Sequence, residues 1–212
     1  MANLNTDLSL FNAIGESRIN RMSKLMGGIK LTQDFPLMKA AEISAPLFQR
    51  LRAAINLYLY SCIARYFKSE VFILCEDVLE KYPDHVKSLP NITPNGLILP
   101  KAEVCLEYNL VHKCVADIFL EFGFSQHLQS VHAPINIRLV NGQANPTLDN
   151  RPRSSTKVHS DMWAGEPANA IMVFIPLFGD AENIGVKFYE PKIFPRELIK
   201  PLDDYIKGAA LI

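Results

Sequence analysis

The stretch "RPRSSTKVHSDMWAGEPANAIMVFIPLFGD", Arg151 to Asp180, decides how the chain is read. It sets His159 and Asp161 one residue apart, then Trp163, then a Gly-Glu-Pro turn and an apolar run ending at Pro176 and Gly179. "TKVHSD" reads as a short strand and "NAIMVFIPLFGD" as a buried one. On a strand, residues i and i+2 point to the same face. An imidazole and a carboxylate at that spacing converge on one point. Mixed nitrogen and oxygen donors suit a borderline divalent metal such as Fe(II). The triplet alone is a weak signal, since surface pairs and His–Asp hydrogen bonds share it. Its setting, on a predicted strand after a polar loop and beside core-like strands, favours metal ligation.

Working outward, "VHAPINIRLV" alternates Ile135, Ile137 and Leu139 against Asn136, Arg138 and Val140, the pattern of a half-buried strand. "NGQANPTLDNRPRSS" is a loop, and "NIGVKFYEP" reads as a further strand after a turn at 180–183. Short strands divided by turns predict a sandwich or barrel. Before Gly123 the character is helical. "SAPLFQRLRAAINLYLYSCIARYF" opens with Ser44 as N-cap and Pro46 in the first turn. Leu47, Leu51, Ala54, Tyr58, Cys62 and Ile63 then recur at helical spacing. "EVFILCEDVLEKYP" predicts a shorter helix stopped near Pro83, and 91–100 a loop. A second long helix is expected from Lys101 to Phe122, with Val104, Leu106, Leu110, Val111, Cys114, Val115, Ile118 and Phe122 as its stripe. "PRELIKPLDDYIKG" is amphipathic and fits a helix or an irregular excursion. No repeat or Gly/Ser linker divides the chain. A single domain is expected over 1–212, with 1–123 a helical buttress and 124–212 a β-core.

The 212 residues suffice for one sizeable core, and 49% hydrophobic with 21% charged is an ordinary globular balance. Lys+Arg and Asp+Glu both total 22. A net charge of zero gives no support for nucleic acid or an anionic membrane as the main partner. Cys62, Cys75, Cys105 and Cys114 form no C-x-x-C pair and read as reduced core thiols. The N-terminus lacks the basic start and apolar core of a signal peptide. The most apolar stretch, 45–67, is broken by Arg50, Arg52 and Arg65, so no membrane span is expected and the location reads as cytoplasmic. No G-x-S-x-G, G-x-G-x-x-G or phosphate-binding G-x-x-x-x-G-K-[ST] occurs.

From Ile135 to Pro191 the sequence resembles the Fe(II)/2-oxoglutarate-dependent dioxygenases of the phytanoyl-CoA hydroxylase group, on "RLVNG", "HSDMW" and the strands that follow. The resemblance implies an α+β fold: a double-stranded β-helix, of jelly-roll or cupin-like form, buttressed by N-terminal helices. It implies His159 and Asp161 as iron ligands, Trp163 lining the co-substrate pocket, and Fe(II), 2-oxoglutarate and O₂ as the reacting set. The implied activity is hydroxylation of a small metabolite or carrier-bound group. Family members carry a second His on a late strand, followed by an Arg or Lys for the co-substrate. Here the five histidines are His85, His112, His127, His132 and His159, and none follows Asp161. The ending "GAALI" reads as the start of another strand, so missing C-terminal strands compete with an incomplete site. His127 or His132 offers a third source of the ligand. Two other functions stay open: a catalytically silent jelly-roll binding module, and a cupin-like metalloenzyme that does not use 2-oxoglutarate.

Asn136 and Arg138 share a strand face and could bind a co-substrate carboxylate, Arg through its bidentate fork; a solvent-facing position is the competing reading. Arg151, Arg153 and Lys157 form a basic approach to the triplet, suited to an anionic co-substrate or to loop solubility. Asn169 reads as a turn cap, His112 as structural, and Asp203 with Asp204 as a solvated face.

Overall fold

The computed structural model describes residues 16–35, 37–140, 145, 148–167, 170–180, 186–188 and 201–209. The chain divides into two compact units, one of Leu25–Val140 and one of Met1–Lys24 with Asn141–Ile212. Residues 16–25 are helical (α1). An antiparallel hairpin follows, β1 (Leu31–Phe35) with β2 (Met38–Ala41), its register broken between Leu31 and Gln33.

The core of the Leu25–Val140 unit is two helices, α2 (Ala45–Tyr66) and α5 (Cys105–Glu121). They run antiparallel, as their cross-links show. Ser44 Oγ donates to Glu121 Oε2 (2.6 Å), Arg50 pairs with Asp117 (2.9 Å) and Arg65 with Glu107 (3.8 Å). Ser44 therefore precedes α2 without capping it, because its hydroxyl is turned to the other helix. Leu51, Ala54, Tyr58, Cys62 and Ile63 are buried as their spacing predicts, against Tyr108, Val111, Cys114, Val115 and Ile118. The Tyr58 and Tyr108 rings meet edge to face at 5.1 Å. Each large buried side chain contributes roughly 1.5–3 kcal/mol. The predicted α5 stripe was too wide: Leu106 is 79% exposed, and Tyr108 takes the inward place. All four cysteines are free; Cys62 and Cys114 are buried, whereas Cys105 is exposed rather than in the core.

The helix expected over "EVFILCEDVLEKYP" begins late. Residues 70–77 are non-helical, and α3 spans only Val78–Lys81, where Asp77 caps it by accepting from Glu80 N (2.9 Å). The buried Asn56 of α2 holds the approach open. Its Oδ1 accepts from Val78 N (2.7 Å) and its amide donates to the Cys75 carbonyl. The helix stops at Lys81, just before Pro83 as expected, and Pro83 starts the next, α4 (Pro83–Lys87).

The expected double-stranded β-helix is not the fold. Among the described residues the only sheet is the two-stranded β1–β2 hairpin, and helices carry the core. The predicted strand around Ile137 makes a short bridge with 96–98: Ile98 N donates to Ile137 O (2.9 Å) and Leu139 N to Gly96 O (2.8 Å). Gly96 has φ +77°, and a Cβ there would collide with the Leu139 carbonyl, so close backbone approach requires glycine. Tyr108 Oη donates to Ile135 O, and Ile135 N to His112 Nε2 (3.2 Å), fixing this segment on α5. The strands expected at "TKVHSD" and "NAIMVFIPLFGD" are instead turn and non-ladder backbone over their described residues. Met172, Val173 and Phe174 stay 41–51% exposed. Alternation marks which face a strand would bury, but a strand exists only where a partner supplies the ladder. No helix among the described residues is long and apolar enough to cross a membrane.

Candidate functional site

His159 and Asp161 do come together, by a route other than the predicted strand face. The chain approaches His159 through turns at 152–157 and enters a 3-10 turn, Asp161–Ala164. Trp163 N donates to Ser160 O (2.8 Å) and Gly165 N to Met162 O (3.1 Å). Gly165, at φ +105°, ends the turn. This geometry leaves His159 Nε2 3.8 Å from Asp161 Oδ1, with side-chain exposures of 22% and 40%.

The loop before the pair is built on Asp149. Its carboxylate accepts from Arg151 Nε (2.9 Å) and backbone N (3.1 Å), from Ser154 Oγ and from Thr156 Oγ1 (3.3 Å). The Arg151 guanidinium, followed by the Ser154 hydroxyl, holds this carboxyl well below the usual carboxylate range. Ser154 is fully buried. Lys157 Nζ closes the loop onto Arg151 O (2.6 Å). Lys157 O then accepts from His159 Nδ1 (2.6 Å). A carbonyl can only accept, so Nδ1 carries a proton, and Nε2 is the ring atom left facing Asp161. Metal-binding histidines are commonly fixed in this way through their second nitrogen.

Trp163, expected beside a co-substrate, is completely buried. It packs with Tyr205, Met162 and Leu202. Tyr205 opens a short helix, α6 (Tyr205–Ala209), and its ring stacks on His159 at 4.8 Å between centroids and 7° between planes. Arg151 and Arg153 of the basic approach are held in ion pairs, with Asp149 (2.5 Å) and Asp203 (3.2 Å). Asn136 and Arg138 are both exposed and flank buried Ile137, as a period of two requires, in the Leu25–Val140 unit. His127 and His132 are exposed in that same unit. Asn169 lies outside the described residues.

Two donors of the expected site are therefore adjacent, and the donor chemistry fits part of a mixed N/O metal site. Neighbouring ligands about 2.0–2.2 Å from one ion stand about 3.0–3.4 Å apart, so the pair at 3.8 Å would close by roughly 0.4–0.8 Å to share an ion. Among the described residues, no group of three or more His, Cys, Asp or Glu side chains could hold a metal ion. Tyr205, Asp149 and the Lys157 carbonyl were not foreseen. The spacing of Asp149, Arg151, Ser154 and Thr156 carried the signal of a side-chain-to-backbone loop. Nothing local pointed to Tyr205. No family model, curated protein or solved structure matches this chain.

Proposed function

We propose that the chain is a non-haem Fe(II)- and 2-oxoglutarate-dependent oxygenase acting on a small metabolite or carrier-bound group. His159 Nε2 and Asp161 would hold the iron. The observation behind this is the prepared pair: Nε2, with the ring held through the Nδ1–Lys157 bond, 3.8 Å from a half-exposed carboxylate. Bound iron would supply O₂ activation coupled to oxidative decarboxylation of 2-oxoglutarate. The protein's part is to hold the imidazole by its Nδ1 bond, keep the carboxylate reachable, and leave the remaining positions to water and co-substrate. The sequence resemblance at "HSDMW" supports the same reading, without the β-helix that the fold has replaced.

The experiment is anaerobic addition of Fe(II) and 2-oxoglutarate. A weak visible charge-transfer band is expected, absent in His159→Ala and Asp161→Ala. A second reading, a catalytically silent binding module, is favoured by the lack of a three-donor cluster among the described residues. A folded protein with no band, and no succinate formed in air, decides for the module.

A further inference from the structure

We propose that residues 202–209 clamp the His–Asp pair, and that Tyr205 is its positioning residue. The proposal rests on the metal reading above. The imidazole is tethered through Cγ, so it turns about χ1 and χ2, and one hydrogen bond, His159 Nδ1 to Lys157 O, is a single restraint on that rotation; breaking it would swing Nε2 away from Asp161. The Tyr205 ring, 4.8 Å off and within 7° of parallel, lies flat against the imidazole and blocks that rotation. The two contacts together leave Nε2 one direction to face.

The clamp is tied on both sides of His159. Tyr205 N donates to Pro152 O (3.0 Å) and Leu202 N to Trp163 O (3.1 Å). Arg153 pairs with Asp203 across the same interval (3.2 Å). Tyr205 is only 4% exposed, so its ring is held by packing rather than free at the surface. Gly208 completes the lock. A Cβ there would stand 2.5 Å from Trp163 Cη2, and the ring it meets is fully buried and has no room to retreat. The absence of a side chain at 208 is thus what lets α6 close onto Trp163 and bring Tyr205 over His159.

The test compares wild type with Tyr205→Phe, Tyr205→Leu and Gly208→Ala. In metal-free protein, the His159 ring protons are followed by NMR. An upfield ring-current shift is expected in wild type and Tyr205→Phe, and its loss in Tyr205→Leu and Gly208→Ala. Mn(II) affinity, read by electron paramagnetic resonance, should fall about 10–100-fold in the last two, as for lost partners of other metal-bound histidines. Tyr205→Phe should rescue it. Gly208→Ala leaves the tyrosine in the chain and displaces it, so the test does not depend on the leucine variant folding. Loss of the ring current with unchanged Mn(II) affinity overturns the positioning role. If wild type binds no Mn(II), the metal reading falls, and the ring-current measurement alone still decides whether Tyr205 fixes the imidazole.

Discussion

Trp163→Ala is the most informative single change in the Met1–Lys24 and Asn141–Ile212 unit. The indole is completely buried, and Tyr205, Leu202 and Gly208 all pack on it. A tryptophan buries roughly 150–250 Å², worth about 4–6 kcal/mol at about 25 cal/mol per Å². Truncations of buried Trp and Phe cost about 3–5 kcal/mol, and the lower range applies because neighbours partly refill the space. The segment that leans on the ring should then open more readily by that amount. Tenfold per about 1.4 kcal/mol makes this about a hundredfold to a few thousandfold. The assay is amide hydrogen exchange at Leu202 and Tyr205, whose N–H groups bond to Trp163 O and Pro152 O. It is read where the variant keeps its helical circular dichroism. Unchanged exchange at both amides would refute the packing account. So would ready acrylamide quenching of native tryptophan fluorescence, which reports this residue alone because the chain has one Trp.

Asn56→Ala should lower the stability of the Leu25–Val140 unit by about 2–4 kcal/mol in urea unfolding. It strips the partner from the N–H of fully buried Val78 and from the Cys75 carbonyl, and an orphaned buried group costs about 1–3 kcal/mol. Asp149 makes the site loop acid-sensitive. Its folded carboxyl titrates below the unfolded value near 3.9, so its stabilisation is present above that pH and is lost as pH falls below it. Limited acid-protease cleavage within 149–157 should therefore rise as pH drops below about 4. In Asp149→Asn the loop should be cut readily and with a flatter pH dependence; an identical profile in both proteins counts against the carboxylate as its hub.

The helices α2 and α5 were legible because periodicity is local: Leu51, Ala54, Tyr58 and Cys62 state their own buried face. The β-helix was not, because "NAIMVFIPLFGD" and "VHAPINIRLV" carry the apolar content of strands but cannot name their partners. Ile137 found one short bridge, while Val173 and Phe174 remain half exposed. The site was half legible. His159 and Asp161 converge as expected, yet through a 3-10 turn rather than a shared strand face. Asp203 with Asp204 read as a solvated face, and Asp203 is indeed exposed; what Tyr205 and Gly208 touch lies some 40 residues back along the chain.

The two restraints on His159 differ in how far along the chain they reach. The Nδ1–Lys157 bond joins residues two apart, and the Asp149 contacts to Arg151, Ser154 and Thr156 span at most seven. Closing such short intervals costs little chain entropy, so the loop by itself can hold the ring's Nδ1 contact. The Tyr205 stack joins residue 159 to residue 205 and costs about 2–3 kcal/mol more in loop closure. Of the two restraints it is the one with the larger chain-entropy cost. The imidazole thus has a cheap memory of its protonation pattern and a costlier one of its aim, and a chain that loses the second keeps the first.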